Sequence, residues 1–157
     1  MGLALWLSCE TREKNMSSQD KRTGKIDSLY QLRLDLDQVS LNNKAAEVAV
    51  AWEDYMATQT ELEQWQDYEF TEILSNTDNL RSVTDSLRLN LPDVFTNKPI
   101  RSRLKTLSSQ AQMLDLYADK SEDHQAMYQQ ARSIVATFVG LKRQMNEVFI
   151  EEFSLKE

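Results

Sequence analysis

The chain has 157 residues, 41% of them hydrophobic, and a formal net charge of −7, enough for one domain with a modest core. Three Gly and two Pro are too few for a β-sandwich or barrel, which needs a turn about every 8–12 residues, so the composition points to an all-α fold. The charge is unevenly spread. Residues 44–91 carry ten acids and three bases, whereas the segments before and after are balanced, six against six and nine against nine. Between Ala45 and Leu80 there is no Lys or Arg, and Glu53, Glu61, Glu63, Asp67, Glu69 and Glu72 fall in that stretch. A surface of that sign repels phosphate backbones, which argues against nucleic acid as a partner.

Met1 to Leu7 is mostly apolar and is followed by Ser8 and Cys9, the one cysteine of the chain. This arrangement resembles bacterial lipoproteins, whose signal ends in a lipobox: Leu, a small or aliphatic residue, a small residue, and the Cys that takes the lipid. Cys9 matches the acylated position, Ser8 the small residue, and Leu7 the residue before it, while Trp6 stands where the pattern has Leu. The resemblance implies that residues 1–8 are the remnant of a signal peptide and that Cys9 is the lipidation site. It also implies localisation in a bacterial cell envelope, facing the periplasm or in the outer membrane. The residues alone leave open a lone reduced thiol in a cytoplasmic terminus.

Residues 9–25 are polar and of mixed charge, the composition of a flexible tether, and residues 26–157 are read as one helical domain. No segment approaches the roughly 20 apolar residues of a transmembrane helix, so a lipid anchor would hold the chain to a membrane without spanning it.

Residues 26–41 carry two periodicities. Leu32, Leu34 and Leu36 alternate as in a strand, whereas Leu29, Leu32, Leu36 and Val39 keep helical spacing; a lone strand would lack a partner, which favours a helix. Asn43 is the expected N-cap of the next helix. Residues 44–91 contain no Gly or Pro and keep a 3-4 stripe through Trp52, Tyr55, Leu62, Ile73, Leu80 and Leu87. As one helix they would reach roughly 70 Å. Residues 75–78 are a second place where the chain can break.

Pro92 and Pro99 mark a clear boundary, with Pro99 in the first turn of the following helix. A helix through Ile100, Leu104, Leu107, Ala111 and Leu114 then runs to a cap expected at Ser121. The last helix carries Met127, Ala131, Ile134, Phe138, Leu141 and Met145. Gly140 within it costs about 1 kcal/mol relative to Ala or admits a close neighbour.

These lengths favour a long antiparallel helical hairpin or elongated, coiled-coil-like helical bundle over a compact four-helix bundle. The hairpin register sets Leu87 against Leu104, Leu80 against Ala111, and Trp52 and Tyr55 near Ile134 and Phe138. It also brings Arg101, Arg103 and Lys105 close to Asp85. A two-helix hairpin buries too little by itself, which implies self-association or help from residues 26–41.

His124 is the only histidine, which leaves di-iron, haem and Cys/His zinc sites without their ligands. No cofactor or metal is therefore expected, and no Gly-x-Ser-x-Gly elbow or Gly-rich phosphate loop is present. The helix carboxylates fan outward and do not wrap a Ca²⁺ ion. Trp65 and Tyr68 sit at the edge of the apolar stripe and are candidate partner-binding aromatics. Trp52, Tyr55 and Phe138 are candidate lining for a small ligand. The expected function is non-enzymatic: a lipid-anchored envelope spacer or protein-interaction module, partnered by another protein or by itself. A ligand-binding or sensor bundle and a cytosolic coiled-coil adaptor are the alternatives.

Overall fold

The computed structural model describes residues 10–154, with side chains from 18–150; Cys9 and residues 1–8, on which the lipoprotein resemblance rests, lie outside them. The described chain is all-helical, with no strand. Its elements are α1 (Glu10–Leu29), a single 3-10 turn (Leu36–Gln38), α2 (Asn43–Ala51), α3 (Glu53–Gln64), α4 (Phe70–Ser75), α5 (Thr77–Leu89), a second 3-10 turn (Asp93–Phe95), α6 (Lys98–Lys120) and α7 (His124–Ser154).

Residues 44–91 do not form the single long helix expected. The chain reverses between α3 and α4, so that α3 and α5 run antiparallel: the Thr58 hydroxyl is 3.4 Å from the Val83 carbonyl, and Asn79 donates to Glu61 one turn further along. Neither Gly nor Pro makes this turn. Gln66 and Asp67 donate backwards to Glu63 and Gln64, which closes the end of α3, and Glu69 N–H donates to the Glu72 carboxylate at 2.8 Å to open α4. Two further breaks, at Trp52 and Asn76, separate α2 from α3 and α4 from α5.

The register expected between the segments on either side of Pro92 does hold. Asp85 on α5 accepts from Ser108 and Gln112 on α6, and Thr77 donates to Asp115 at 2.9 Å. Arg101 and Arg103 do not pair with Asp85, however: they donate to the Thr96 carbonyl and to Gln144. Helices α6 and α7 form the next antiparallel pair, joined by Arg103 to Gln144 and by Gln130 to the Gln110 carbonyl. Helix α2 packs on α7, and Tyr55 of α3 stacks on Phe138 of α7 with ring centroids 5.4 Å apart. The result is a packed bundle of four antiparallel layers, α2–α3, α5, α6 and α7, in place of the elongated hairpin. Leu62, Leu80, Leu87, Ile100, Leu114, Ile134 and Leu141 fill its axis and are fully buried.

Caps follow the sequence with small shifts. Asn42, one residue before the expected Asn43, accepts from Ala45 N–H at 2.9 Å, and Asn97 accepts from Ile100 N–H ahead of Pro99 in the first turn of α6. Helix α7 is capped by Asp123, which accepts from Ala126 N–H, and not by Ser121, whose hydroxyl instead accepts from Asp123 N–H. Gly140 has the close neighbour its position suggested: a Cβ there would stand 2.6 Å from Nη1 of Arg103.

Residues 26–41, read as a helix, hold the single 3-10 turn at Leu36–Gln38 but are α-helical only to Leu29. Beyond it an extended strap crosses α7, and the alternation of Leu32, Leu34 and Leu36 was its signal: these three are buried or half-buried while Gln31, Arg33 and Asp35 face solvent. Side chains of α7 take the place of a neighbouring strand. Tyr128 donates to the Gln31 carbonyl at 3.2 Å, Lys142 to the Leu36 carbonyl at 2.9 Å, and Asn146 to the Ser40 carbonyl at 2.8 Å. Residues 10–25, expected as a spacer without structure, belong to helix α1. Its end is fastened by Asp27, whose carboxylate accepts from the Thr71 amide and hydroxyl at 2.9 and 3.0 Å.

The core makes a direct prediction. Leu104→Ala, at a fully buried position, is expected to lower stability by about 3 kcal/mol in urea unfolding, whereas Leu89→Ala, at a position 69% exposed, changes it by less than about 0.5 kcal/mol.

Candidate functional site

The aromatic residues singled out in the sequence separate into two groups. Trp52, Tyr55 and Phe138 do come together: Trp52 stacks on Tyr55 at 5.8 Å, Tyr55 on Phe138 at 5.4 Å, and Phe95 closes against Trp52 at 5.9 Å. All of them are buried in the bundle core, and none lines the grooves along α7 described below. Trp65 does not offer itself to a partner as expected; it is 1% exposed and packed under the α3–α4 reversal. Tyr68, three residues on, is exposed, with its hydroxyl 3.5 Å from the Gln64 side chain. The two expected partner-binding residues therefore do not form one surface.

The core carries polar atoms with no hydrogen-bond partner among the described residues: the Tyr55 hydroxyl and the indole N–H groups of Trp52 and Trp65. Burial, reinforced by the charge of Glu63, raises the Tyr55 pKa well above its usual value of 10.0. An unpartnered buried hydroxyl costs about 1–3 kcal/mol.

His124 stands in the first turn of α7, as expected, and its ring stacks on Tyr30 at 6.2 Å. Tyr30 also meets Phe70 at 5.4 Å and Tyr128 at 5.6 Å, so this second aromatic cluster joins α1, α4 and α7 and fixes where the strap begins. No group of three or more His, Cys, Asp or Glu that could hold a metal ion occurs among the described residues.

A surface the sequence did not disclose lies where the strap crosses α7. A groove of about 350 Å³ runs between them, floored by Ala136 and Gly140 of α7 and bordered by Arg33 of the strap and by Arg132 and Arg143 of α7. A second hollow of about 470 Å³ continues from it past Tyr128, sharing Arg33 and Arg132. Residues 132, 136, 140 and 143 follow 4-4-3 spacing and so share one face of α7. None of the three arginines has a carboxylate within ion-pair distance among the described residues. Asp35, the one acid of the lining, accepts instead from Gln38 at 3.0 Å. The Arg132 guanidinium stands 5.9 Å from the centre of the Tyr128 ring. These residues are far apart in the sequence, and the one signal for them was the alternation that forms the strap.

Compared with family models, curated proteins and solved structures, the chain matches none.

The buried Tyr55 hydroxyl generates a prediction with a pH dependence. Tyr55→Phe removes an unpartnered polar atom and is expected to raise stability by about 1 kcal/mol at pH 7. In the parent, the unfolded chain ionises this tyrosine first, so its stability is intact below pH about 10 and falls as the pH rises above that value. The variant is expected to lose that part of the alkaline fall, as read by urea unfolding between pH 7 and pH 11.

Proposed function

We propose that the chain is a non-enzymatic, lipid-anchored helical module of a bacterial envelope that acts as a spacer and docks another protein. The observation that supports this reading best is helix α1. Its described part, Glu10–Leu29, runs 20 residues, about 30 Å, before its end is fastened to α4. Among its described side chains none is buried, and the helix holds no apolar face of any strength, so it covers little of the core. A solvated arm between an acyl group and a folded bundle sets the bundle away from a bilayer. No described helix is long and apolar enough to cross a membrane, which is consistent with attachment through lipid alone.

A second reading, a bundle that binds a small ligand around Trp52, Tyr55 and Phe138, has one observation in its favour. The unpartnered Tyr55 hydroxyl and Trp52 indole are donors that a polar ligand atom would satisfy. On that reading Tyr55→Phe is less stable than the parent when both are measured with the ligand present, the reverse of the result expected for a dry core.

The anchor is tested by intact-mass analysis and membrane fractionation of the protein expressed from its native gene in a bacterial host beside Cys9→Ser. The expected result is a membrane-bound species beginning at Cys9 with added acyl mass, replaced in the variant by an unprocessed, soluble product. An unprocessed wild-type chain in the soluble fraction would overturn the anchor and leave a cytoplasmic helical adaptor as the better description.

A further inference from the structure

We propose that the groove between the strap and α7 is a docking site for an extended, acidic peptide segment of a partner protein, which adds as a strand beside the strap and sets its carboxylates on Arg33, Arg132 and Arg143. The proposal deepens the interaction-module reading by naming the partner's chemistry.

Charge is the first support. On a chain of net charge −7, three arginines gather round one groove with no carboxylate to pair them among the described residues. Behind the floor lies a fourth, Arg103, half-buried against Gly140 and bonded only to the neutral Gln144 side chain. Lys142, buried one residue before Arg143, donates to a carbonyl. Asp35 is the one acid of the lining, and its carboxylate accepts from the Gln38 side chain. The remaining positive potential selects an anion and is strongest at low salt.

Shape narrows the anion. Arg132 and Arg143 are eleven residues apart on one face of α7, about 16 Å along its axis, so the two mark out a line of positive charge along the groove. That length matches about five residues of extended chain. Ala136 and Gly140 keep the floor low between the two arginines, which lets a backbone approach closely. A flat anionic membrane cannot follow a narrow groove on a protein whose net charge it repels.

The strap supplies the third support. It is an extended segment with no neighbouring strand. Its carbonyls at Gln31 and Leu36 are taken by Tyr128 and Lys142, but the backbone N–H groups of residues 32–35 have no hydrogen-bond partner among the described residues. An exposed extended edge of this kind is completed by strand addition, in which main-chain bonds give affinity and side chains give selectivity. Arg33 and Asp35 both face outward along it, the Asp35 carboxylate being turned to the Gln38 side chain, so an incoming strand finds its cation at Arg33.

The test uses the full-length, unacylated chain, so that its outcome is independent of the membrane anchor. A fluorescein-labelled peptide of alternating Asp and Glu, about six residues long, is titrated by anisotropy at low salt. A peptide of alternating Asn and Gln and inorganic phosphate serve as competitors. Expected are saturable binding of the acidic peptide, at least about tenfold weakening in the exposed-site double variant Arg132→Gln/Arg143→Gln, no change in Arg88→Gln on α5, and slowed deuterium exchange at alternate amides of residues 32–35. Absence of binding, equal competition by the amide peptide or by phosphate, binding indifferent to the double variant, or unchanged exchange in the strap would each overturn the proposal. Any of these results leaves the acylation of Cys9 to be judged by its own mass.

Discussion

The architecture depends on one constraint, the reversal of the chain between Gln64 and Phe70. Left helical, residues 44–91 form a rod of roughly 70 Å that pairs with the later helices only as an extended hairpin. The turn is held from both sides. Trp65 is buried beneath it, Glu69 and Glu72 open α4, and Asp27 of α1 binds the amide and hydroxyl of Thr71. Once the chain has turned, α3 lies against α5, and Tyr55 reaches Phe138. Helix α7 is then the element that touches both the start of the bundle and α6, and its free face is left for the strap.

Polar contacts inside this arrangement set its register. Asp115, 9% exposed, is held by Thr77 and by Arg81 at 2.8 Å; Asp85 takes Ser108 and Gln112; Glu61 takes Asn79. All three sites involve α5, which makes it the helix that other helices align to. Buried ionic and hydrogen-bonded groups of this sort add little net stability but penalise a slipped register, because each slip leaves a desolvated charge without its partner. The strap is positioned by the same means. Lys142 and Asn146 reach it from α7, and their bonds to main-chain carbonyls replace the ladder that an isolated extended segment lacks.

The parts of the fold legible in the sequence are those written in local chemistry. Pro99 in a first turn and the apolar rhythm of α6 and α7 appear where the residues place them, the cap of α2 falls one residue from the expected Asn43, and the pairing of α5 with α6 follows from their stripes. Trp52 and the reversal at residues 65–69 were not legible, since neither contains Gly or Pro. What breaks the helix there is the burial of large aromatic side chains against partners distant in the chain. The strap was legible but misread, because a strand was expected to need another strand, and here helix side chains serve. The arginine groove was invisible for a related reason: Arg33 meets Arg132 and Arg143 only after the strap has crossed α7.

The closed bundle, and the groove on its α7 face, thus depend on how one acidic, glycine-poor segment folds back on itself. The distance between spin labels on Thr60→Cys and Ser82→Cys, introduced together with Cys9→Ser, tests this most directly, because both positions are exposed and lie across the α3–α5 pair. The reversal predicts a separation below about 20 Å, the spacing of two packed helices plus the label arms. A separation of about 33 Å, the rise of one continuous helix over that interval, would contradict it and with it the bundle and the placement of α7.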